Sequence, residues 1–156
     1  MPGVLTVAEV LRMGVQRETE SQDLYTELGR MVTDPQAKYV FTRLFKEEKR
    51  HQEILEGFLN GGIRADMLKP DDVLDYRIAE HLEQPRVKPD MSLGDIFLLA
   101  ANREKMSNEF YLGLAQAYPP GETKQLLLKM ASQELGHKQQ IETLYADVAF
   151  PQTDGG

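Results

Sequence analysis

The chain carries an internal repeat with a spacing of 86 residues, and this repeat constrains its fold more than any other feature. When the sequence is shifted by that spacing, RETESQDLYTELG (17–29) aligns without a gap with REKMSNEFYLGLA (103–115). Thr6 then falls on Ser92, and Leu55 falls on Ile141. The repeat therefore predicts two copies of one unit rather than a series of unrelated elements.

Each copy has start and stop signals for two long helices. Thr6-x-x-Glu9 is typical of a capping box, and Pro35 suits the first turn of a second helix. Gly61 predicts the end of that helix, Ser92 caps a third, and a fourth follows the proline pair that ends the third. Apolar residues recur at helical spacing in all four, and no segment has the alternating pattern of a strand.

This pattern predicts an all-α four-helix bundle in which a long crossover connects two helix pairs. An irregular all-helical domain is the alternative. We expect one domain over residues 1–150, since 156 residues can bury one core but are few for two. The connector spans residues 61–90 and includes a short helix within 71–82, and the tail at 151–156 is expected to be disordered.

Composition excludes several classes of function. The chain has no cysteine, so it has no disulfide, no thiolate zinc site and no iron–sulfur centre. A formal net charge of −7 argues against nucleic acid and anionic membrane surfaces as main partners. No apolar run approaches the length of a membrane span, and the N-terminus does not resemble a signal peptide. We therefore expect a cytoplasmic protein.

The repeat also pairs residues that bind metals. Each half has a glutamate on its first helix and a Glu-x-x-His motif on its second, and the copies are in register. One such motif alone would be typical of an exposed helix, but two in register with a paired glutamate are not expected by chance. The six candidate metal ligands are Glu18, Glu48, His51, Glu104, Glu134 and His137.

The four glutamates lie on the apolar stripes of their helices, so we expect them to point into the core. Buried carboxylates are unfavourable without compensation. Two divalent ions would balance four carboxylates, while neutral histidines add no charge. Oxygen and imidazole donors favour iron and leave manganese and zinc open. By contrast, Glu47, Lys49 and Arg50 are expected on a solvated face of the second helix.

From about residue 5 to 148 the sequence resembles the rubrerythrin family of ferritin-like di-iron carboxylate proteins. The resemblance depends on two copies of Glu-x6-Tyr, ending at Tyr25 and Tyr111, and on the two Glu-x-x-His motifs. It implies that Glu48 and Glu134 bridge two metal ions, and that the other two glutamates and both histidines bind one ion each. The two tyrosine hydroxyls would then hydrogen-bond metal-bound carboxylates; packing in the core is their alternative role.

Two departures from the family limit what the resemblance implies. Rubrerythrins usually carry a four-cysteine rubredoxin domain, so here a separate electron-donor protein is expected. They also carry an extra carboxylate, associated with peroxide reduction, where this chain has Ser107. We expect an oxidoreductase acting on peroxide or dioxygen. An iron-handling ferroxidase and a non-catalytic metal-stabilised binding module are the alternatives. The long apolar helix faces favour a homodimer.

Overall fold

A computed structural model describes residues 6–61 and 88–150 of the chain. Within these ranges every regular element is a helix: α1 (Val7–Met31), α2 (Pro35–Leu59), α3 (Leu93–Gln116) and α4 (Glu122–Ala149). The expected all-α class is therefore confirmed. Most of the predicted connector, including its short helix, and the predicted disordered tail lie outside the described residues.

The helices begin where the capping signals predict. The hydroxyl of Thr6 accepts a hydrogen bond from the backbone of Glu9 at 3.1 Å, and the Glu9 carboxylate accepts one from the backbone of Thr6 at 2.8 Å. Ser92 accepts from the backbone of Asp95 at 3.1 Å. After α2, Gly61 takes a φ of 75°, which a residue with a Cβ adopts only with strain. These local signals fix the helix lengths and so the register of the buried faces.

The four helices form two hairpins that assemble into a bundle. The main contacts are of α1 with α2 and of α3 with α4, while α1 with α3 and α2 with α4 make fewer. Short links join the helices within a hairpin, and the long connector joins the hairpins. This is the predicted architecture, in which equivalent residues of the repeat lie on facing hairpins. None of the described helices is long and apolar enough to cross a membrane.

The core has an apolar cluster at each end and a polar layer between them. One cluster includes Leu28, Phe41 and Phe97. The other includes Leu11 and Leu126. Along every helix, the buried polar residues lie between the residues of these two clusters, except for Glu142, which lies between two residues of the first cluster. Burying each large apolar side chain stabilises the fold by about 1.5–3 kcal/mol, so the two clusters offset the unfavourable polar layer.

Candidate metal centre

The polar layer contains all six candidate ligands. None of these residues is more than 3% exposed, which confirms that the four glutamates point into the core. Glu18 comes from α1, Glu48 and His51 from α2, Glu104 from α3, and Glu134 and His137 from α4. Every helix therefore contributes to one cluster, because the 86-residue repeat brings equivalent turns of the two hairpins to the same level of the bundle.

Their ligand atoms form two groups that share two members. Glu18, Glu48, His51 and Glu134 form one group, and Glu48, Glu104, Glu134 and His137 form the other. Within each group the ligand atoms lie within 4.8 Å of one another. The shared residues are Glu48 and Glu134, the pair that the resemblance assigns to bridging. The buried cluster can hold metal ions, with three oxygen donors and one nitrogen donor in each group.

Both histidines turn the same ring nitrogen towards two carboxylates, one on the opposite hairpin and one on their own. His51 Nδ1 lies 2.9 Å from Glu134 Oε1 and 3.6 Å from Glu18 Oε1. His137 Nδ1 lies 2.8 Å from Glu48 Oε1 and 3.5 Å from Glu104 Oε1. The two rings stack at a centroid distance of 5.6 Å. Each Nδ1 is therefore placed as a ligand atom, and each Nε2 points out of the cluster.

The two tyrosines hydrogen-bond the unshared glutamates, and they do so across the hairpins. Tyr25 of α1 donates to Glu104 of α3, while Tyr111 of α3 donates to Glu18 of α1 at 2.6 Å. Burial raises the pKa of both hydroxyls, and the neighbouring glutamates raise it further. The hydroxyls thus stay protonated and fix one oxygen of each carboxylate, as the sequence predicts for a role beside metal ligands.

The cluster contains buried polar atoms that no described residue satisfies. One oxygen each of Glu18, Glu104 and Glu134, both oxygens of Glu48, and Nδ1 of His137 have no hydrogen bond. The close contact of His137 Nδ1 with Glu48 does not have hydrogen-bond geometry. A buried group without a partner costs about 1–3 kcal/mol, and more if charged. These atoms face the same space inside the bundle. Divalent cations bound there would provide the partners that the neighbouring side chains do not provide.

The shifted pKa values show which groups of the cluster favour a bound proton, which reduces the negative charge of the cluster as a cation would. Burial and the charges of neighbouring glutamates raise the pKa of Glu48 and Glu134. Burial also favours the neutral form of Glu18, but contact with Glu48 and the charge of His51 outweigh it and lower the pKa of Glu18 to about 2. Burial opposes a charge on His137, yet the Glu104 carboxylate raises its pKa. Among the four glutamates, the shared pair is thus the pair whose raised pKa values favour the protonated form.

The prediction that Glu47 lies on a solvated face is wrong. Its carboxylate contacts Nε2 of His137, and its side chain is only 33% exposed. Burial would raise the pKa of Glu47, but the bond to His137 and the nearby Arg43 lower it to about 2. On the other side, Gln133 Oε1 contacts Nε2 of His51. The repeat could have identified these two residues, since 47 and 133 are equivalent positions.

Ser107, where rubrerythrins carry an extra carboxylate, and its repeat equivalent Ser21 each contact an arginine of the other hairpin. Arg103 donates to Ser21 Oγ at 3.0 Å and to the backbone oxygen of Arg17 at 3.0 Å. Arg17 lies 3.4 Å from Ser107 Oγ and stacks over the ring of Phe110 at 4.7 Å. The serines therefore mark places where the cluster meets positive charge rather than further carboxylates.

A small cavity lies on the outer side of the two histidines, between α2 and α4. Its volume is about 170 Å³, which is large enough for several water molecules or a small oxidant. Both histidines line it together with Glu47 and Gln133, so the cavity lies beside the cluster. The residues around it are Arg43, Glu47, Arg50, His51, Gln133, His137 and Gln140.

The fold and the buried cluster define an all-helical four-helix bundle that can hold metal ions. No protein-family model matches the sequence, and no curated protein matches it. A solved structure of a hypothetical protein from Pyrococcus furiosus is similar, with a TM-score of 0.67 and 21% identity over 96% of this chain and 94% of that chain. At this identity the similarity shows a shared fold alone.

Proposed function

We propose that the chain holds a dinuclear metal centre of the rubrerythrin type and uses it to reduce peroxide or dioxygen. The observation that supports this proposal best is the presence of two four-residue ligand groups with Glu48 and Glu134 in common. Two independent mononuclear sites would not share ligands. A pair of ions held by two bridging carboxylates is the arrangement that this sharing favours.

Charge and donor type support two divalent ions, with iron favoured. Four buried carboxylates carry four negative charges, which two divalent ions neutralise when both imidazoles are neutral. Carboxylate and imidazole donors suit iron, manganese and zinc. Iron is the redox-active choice for chemistry on an O–O bond, and manganese and zinc are the competitors that a metal analysis would have to exclude.

When bound, the metal pair would polarise the oxidant and supply the electrons that reduce it. The residues of the chain do the rest. Tyr25 and Tyr111 hold Glu104 and Glu18 in fixed orientations, so little reorganisation is required during turnover. The two apolar clusters keep bulk water from the ends of the polar layer. The electrons would be replaced by a separate donor protein.

One observation favours ferroxidase or iron-handling activity as the second candidate. The extra carboxylate that is associated with peroxide reduction in rubrerythrins is replaced by Ser107, which lies beside Arg17. A centre without that carboxylate can still oxidise ferrous iron with dioxygen. The relative rates with peroxide and with dioxygen therefore separate the two functions.

Anaerobic loading with Fe²⁺ tests both proposals. We expect about two ions per chain, followed by rapid stoichiometric oxidation when peroxide or air is mixed in, as seen by stopped-flow absorbance. Faster reaction with peroxide supports the peroxidase, and faster reaction with dioxygen supports the ferroxidase. If protein from its native source instead holds tightly bound zinc that does not react, the chain is a metal-stabilised binding module and the redox proposal is wrong.

A further inference from the structure

The two halves of the cluster differ in the residue that contacts the outer nitrogen of each histidine. Nε2 of His137 meets the carboxylate of Glu47, whereas Nε2 of His51 meets the side-chain oxygen of Gln133. Positions 47 and 133 are equivalent in the repeat. The contact is therefore the same on both sides, but one partner carries a negative charge and the other does not.

This difference bears directly on how strongly each histidine binds a cation. Both histidines turn Nδ1 to the ligand cluster, so Nε2 carries the proton that is donated outward. A carboxylate that accepts this proton makes the imidazole a more basic ligand and fixes its tautomer. A neutral amide oxygen fixes the tautomer as well, but it adds less basicity. His137 is thus the stronger metal ligand of the two histidines.

Glu47 is held in this contact from its other side. Its Oε1 accepts a hydrogen bond from Nε of Arg43, one turn earlier on α2, at 3.1 Å, while its Oε2 faces His137. Both oxygens are engaged, and two thirds of the side chain is shielded from water. The carboxylate is therefore a positioned part of the site and not a mobile surface group.

The candidate ligands themselves provide no such difference. Each half has one unshared glutamate, one shared glutamate, one histidine and one tyrosine that hydrogen-bonds a glutamate of the other half. Because these residues match in kind, an inequality between the two metal positions has to come from their surroundings. Among the described contacts, the Glu47 and Gln133 pair is a difference that touches the ligands directly.

We propose that Glu47 makes the two metal positions unequal, so that the position beside Glu104 and His137 binds a divalent ion more tightly and fills first. This inference depends on the proposed dinuclear centre. At limiting metal the protein would hold one ion in each chain, and the reactive pair would form only when the second ion enters beside Glu18 and His51. Metal supply would then regulate activity through the weaker position.

Titration of the metal-free protein with Mn²⁺, followed by calorimetry and electron paramagnetic resonance, tests this proposal. We expect two binding phases, with an isolated-ion spectrum at one equivalent and a spin-coupled spectrum at two. Glu47→Gln should weaken the first phase by about 10- to 100-fold, the usual effect of losing such a partner. The reverse change, Gln133→Glu, should strengthen the second phase. A gain of affinity in this variant cannot be caused by misfolding.

Two ligand variants show which position fills first. With one equivalent of Mn²⁺, His51→Ala should keep the tight phase and His137→Ala should lose it. The inference is overturned if Glu47→Gln leaves both phases unchanged, or if the wild type binds two ions in one phase without an isolated-ion spectrum. In either case the proposed dinuclear centre still stands if the protein binds two ions per chain. If the wild type, helical by circular dichroism, binds no Mn²⁺, Fe²⁺ or Zn²⁺, the centre and the inference both fail.

Discussion

The two halves of the bundle, residues 6–61 and 88–150, present the same candidate ligands but differ in the residues behind them. In the first half Gln52 donates a hydrogen bond to Glu56 at 2.9 Å. The equivalent residues of the second half, Lys138 and Glu142, form a fully buried ion pair at 3.2 Å. The halves therefore agree where side chains converge on the cluster and diverge where side chains support it.

This comparison separates two demands on the sequence. In the proposed dinuclear centre the cluster needs identical donors from both hairpins, because two cations of the same charge would be held between them. The supporting positions need only satisfied polar groups, and either a neutral amide or an ion pair provides that. The two halves can therefore acquire different metal affinities through changes at these supporting positions, without a change of fold.

Removing a shared glutamate should have the largest effect. Glu48→Ala and Glu134→Ala each take a ligand from both groups, so we expect either variant to lose both ions, whereas Glu18→Ala should keep one. The metal content of each purified variant, measured by elemental analysis after loading with Fe²⁺, checks this. Glu20→Ala, at an exposed position of α1, is the matched control. Full stoichiometry in the Glu48 variant would show that the site is wrongly assigned.

The pH dependence of metal binding should be the next largest effect. The pKa values of Glu48, Glu134 and His137 are raised, so in the metal-free protein these groups hold protons that metal binding must displace. The affinity should rise about tenfold per pH unit for each proton released. Calorimetry in buffers of different ionisation enthalpy counts those protons. Binding that releases none would contradict the proton-filled cluster.

The raised pKa values of Glu48 and Glu134 also predict that the stability of the metal-free protein depends on pH differently from that of the metal-loaded protein. Stability from a protonated Glu48 or Glu134 is fully present below the ordinary carboxyl pKa and is lost as the pH rises through the raised values. The stability from Glu18 and Glu104, whose pKa values are lowered, does not change in this range. The melting temperature of the metal-free form should therefore fall as the pH rises above the ordinary carboxyl pKa, while that of the loaded form should not. Glu48→Gln with Glu134→Gln should remove the fall.

Much of the fold and the ligand set could be predicted because both depend on spacing along one helix. Caps and apolar stripes follow from local sequence, and Glu48 and His51 share a face at three residues apart. Contacts between helices do not follow from spacing. Hence the sequence did not reveal that Tyr25 reaches Glu104 on the other hairpin rather than Glu18 on its own helix. Glu47 was missed because a run of charges is usually solvated, even though the repeat pairs it with Gln133.

The burial of Lys138 was not predicted from the sequence for a related reason. Substitution of Lys138 is the next test of how the two halves differ. Lysine is rarely buried without a partner, and nothing in the local sequence shows that this face of α4 is buried. Removing one member of a buried pair leaves the other charge uncompensated. Lys138→Ala should therefore lower the free energy of unfolding by about 3–5 kcal/mol, measured with urea.

The equivalent change in the first half is the matched control. Gln52→Ala removes a neutral, partly buried group and should cost only about 1 kcal/mol. Replacing Lys138 and Glu142 together by Met and Leu should recover most of the lost stability, since neither member of the pair is then left without the other. Equal losses for Lys138→Ala and Gln52→Ala would mean that the two supporting pairs are energetically alike despite their different charges.

The smallest effect is expected where the two halves are most alike. Tyr25→Phe and Tyr111→Phe each remove one hydroxyl that donates to a buried carboxylate, and each leaves the ring in place. Losing a hydrogen bond to a charged group costs about 1.5–3 kcal/mol, so both variants should lower the free energy of unfolding by that amount and by similar values. Tyr39→Phe, at a position that is 67% exposed, should change it by less than about 0.5 kcal/mol. A large difference between the two buried tyrosines would indicate that the environments of Glu18 and Glu104 differ, because the additional contact of the Tyr111 hydroxyl with the backbone oxygen of Gly14 is long, at 3.5 Å.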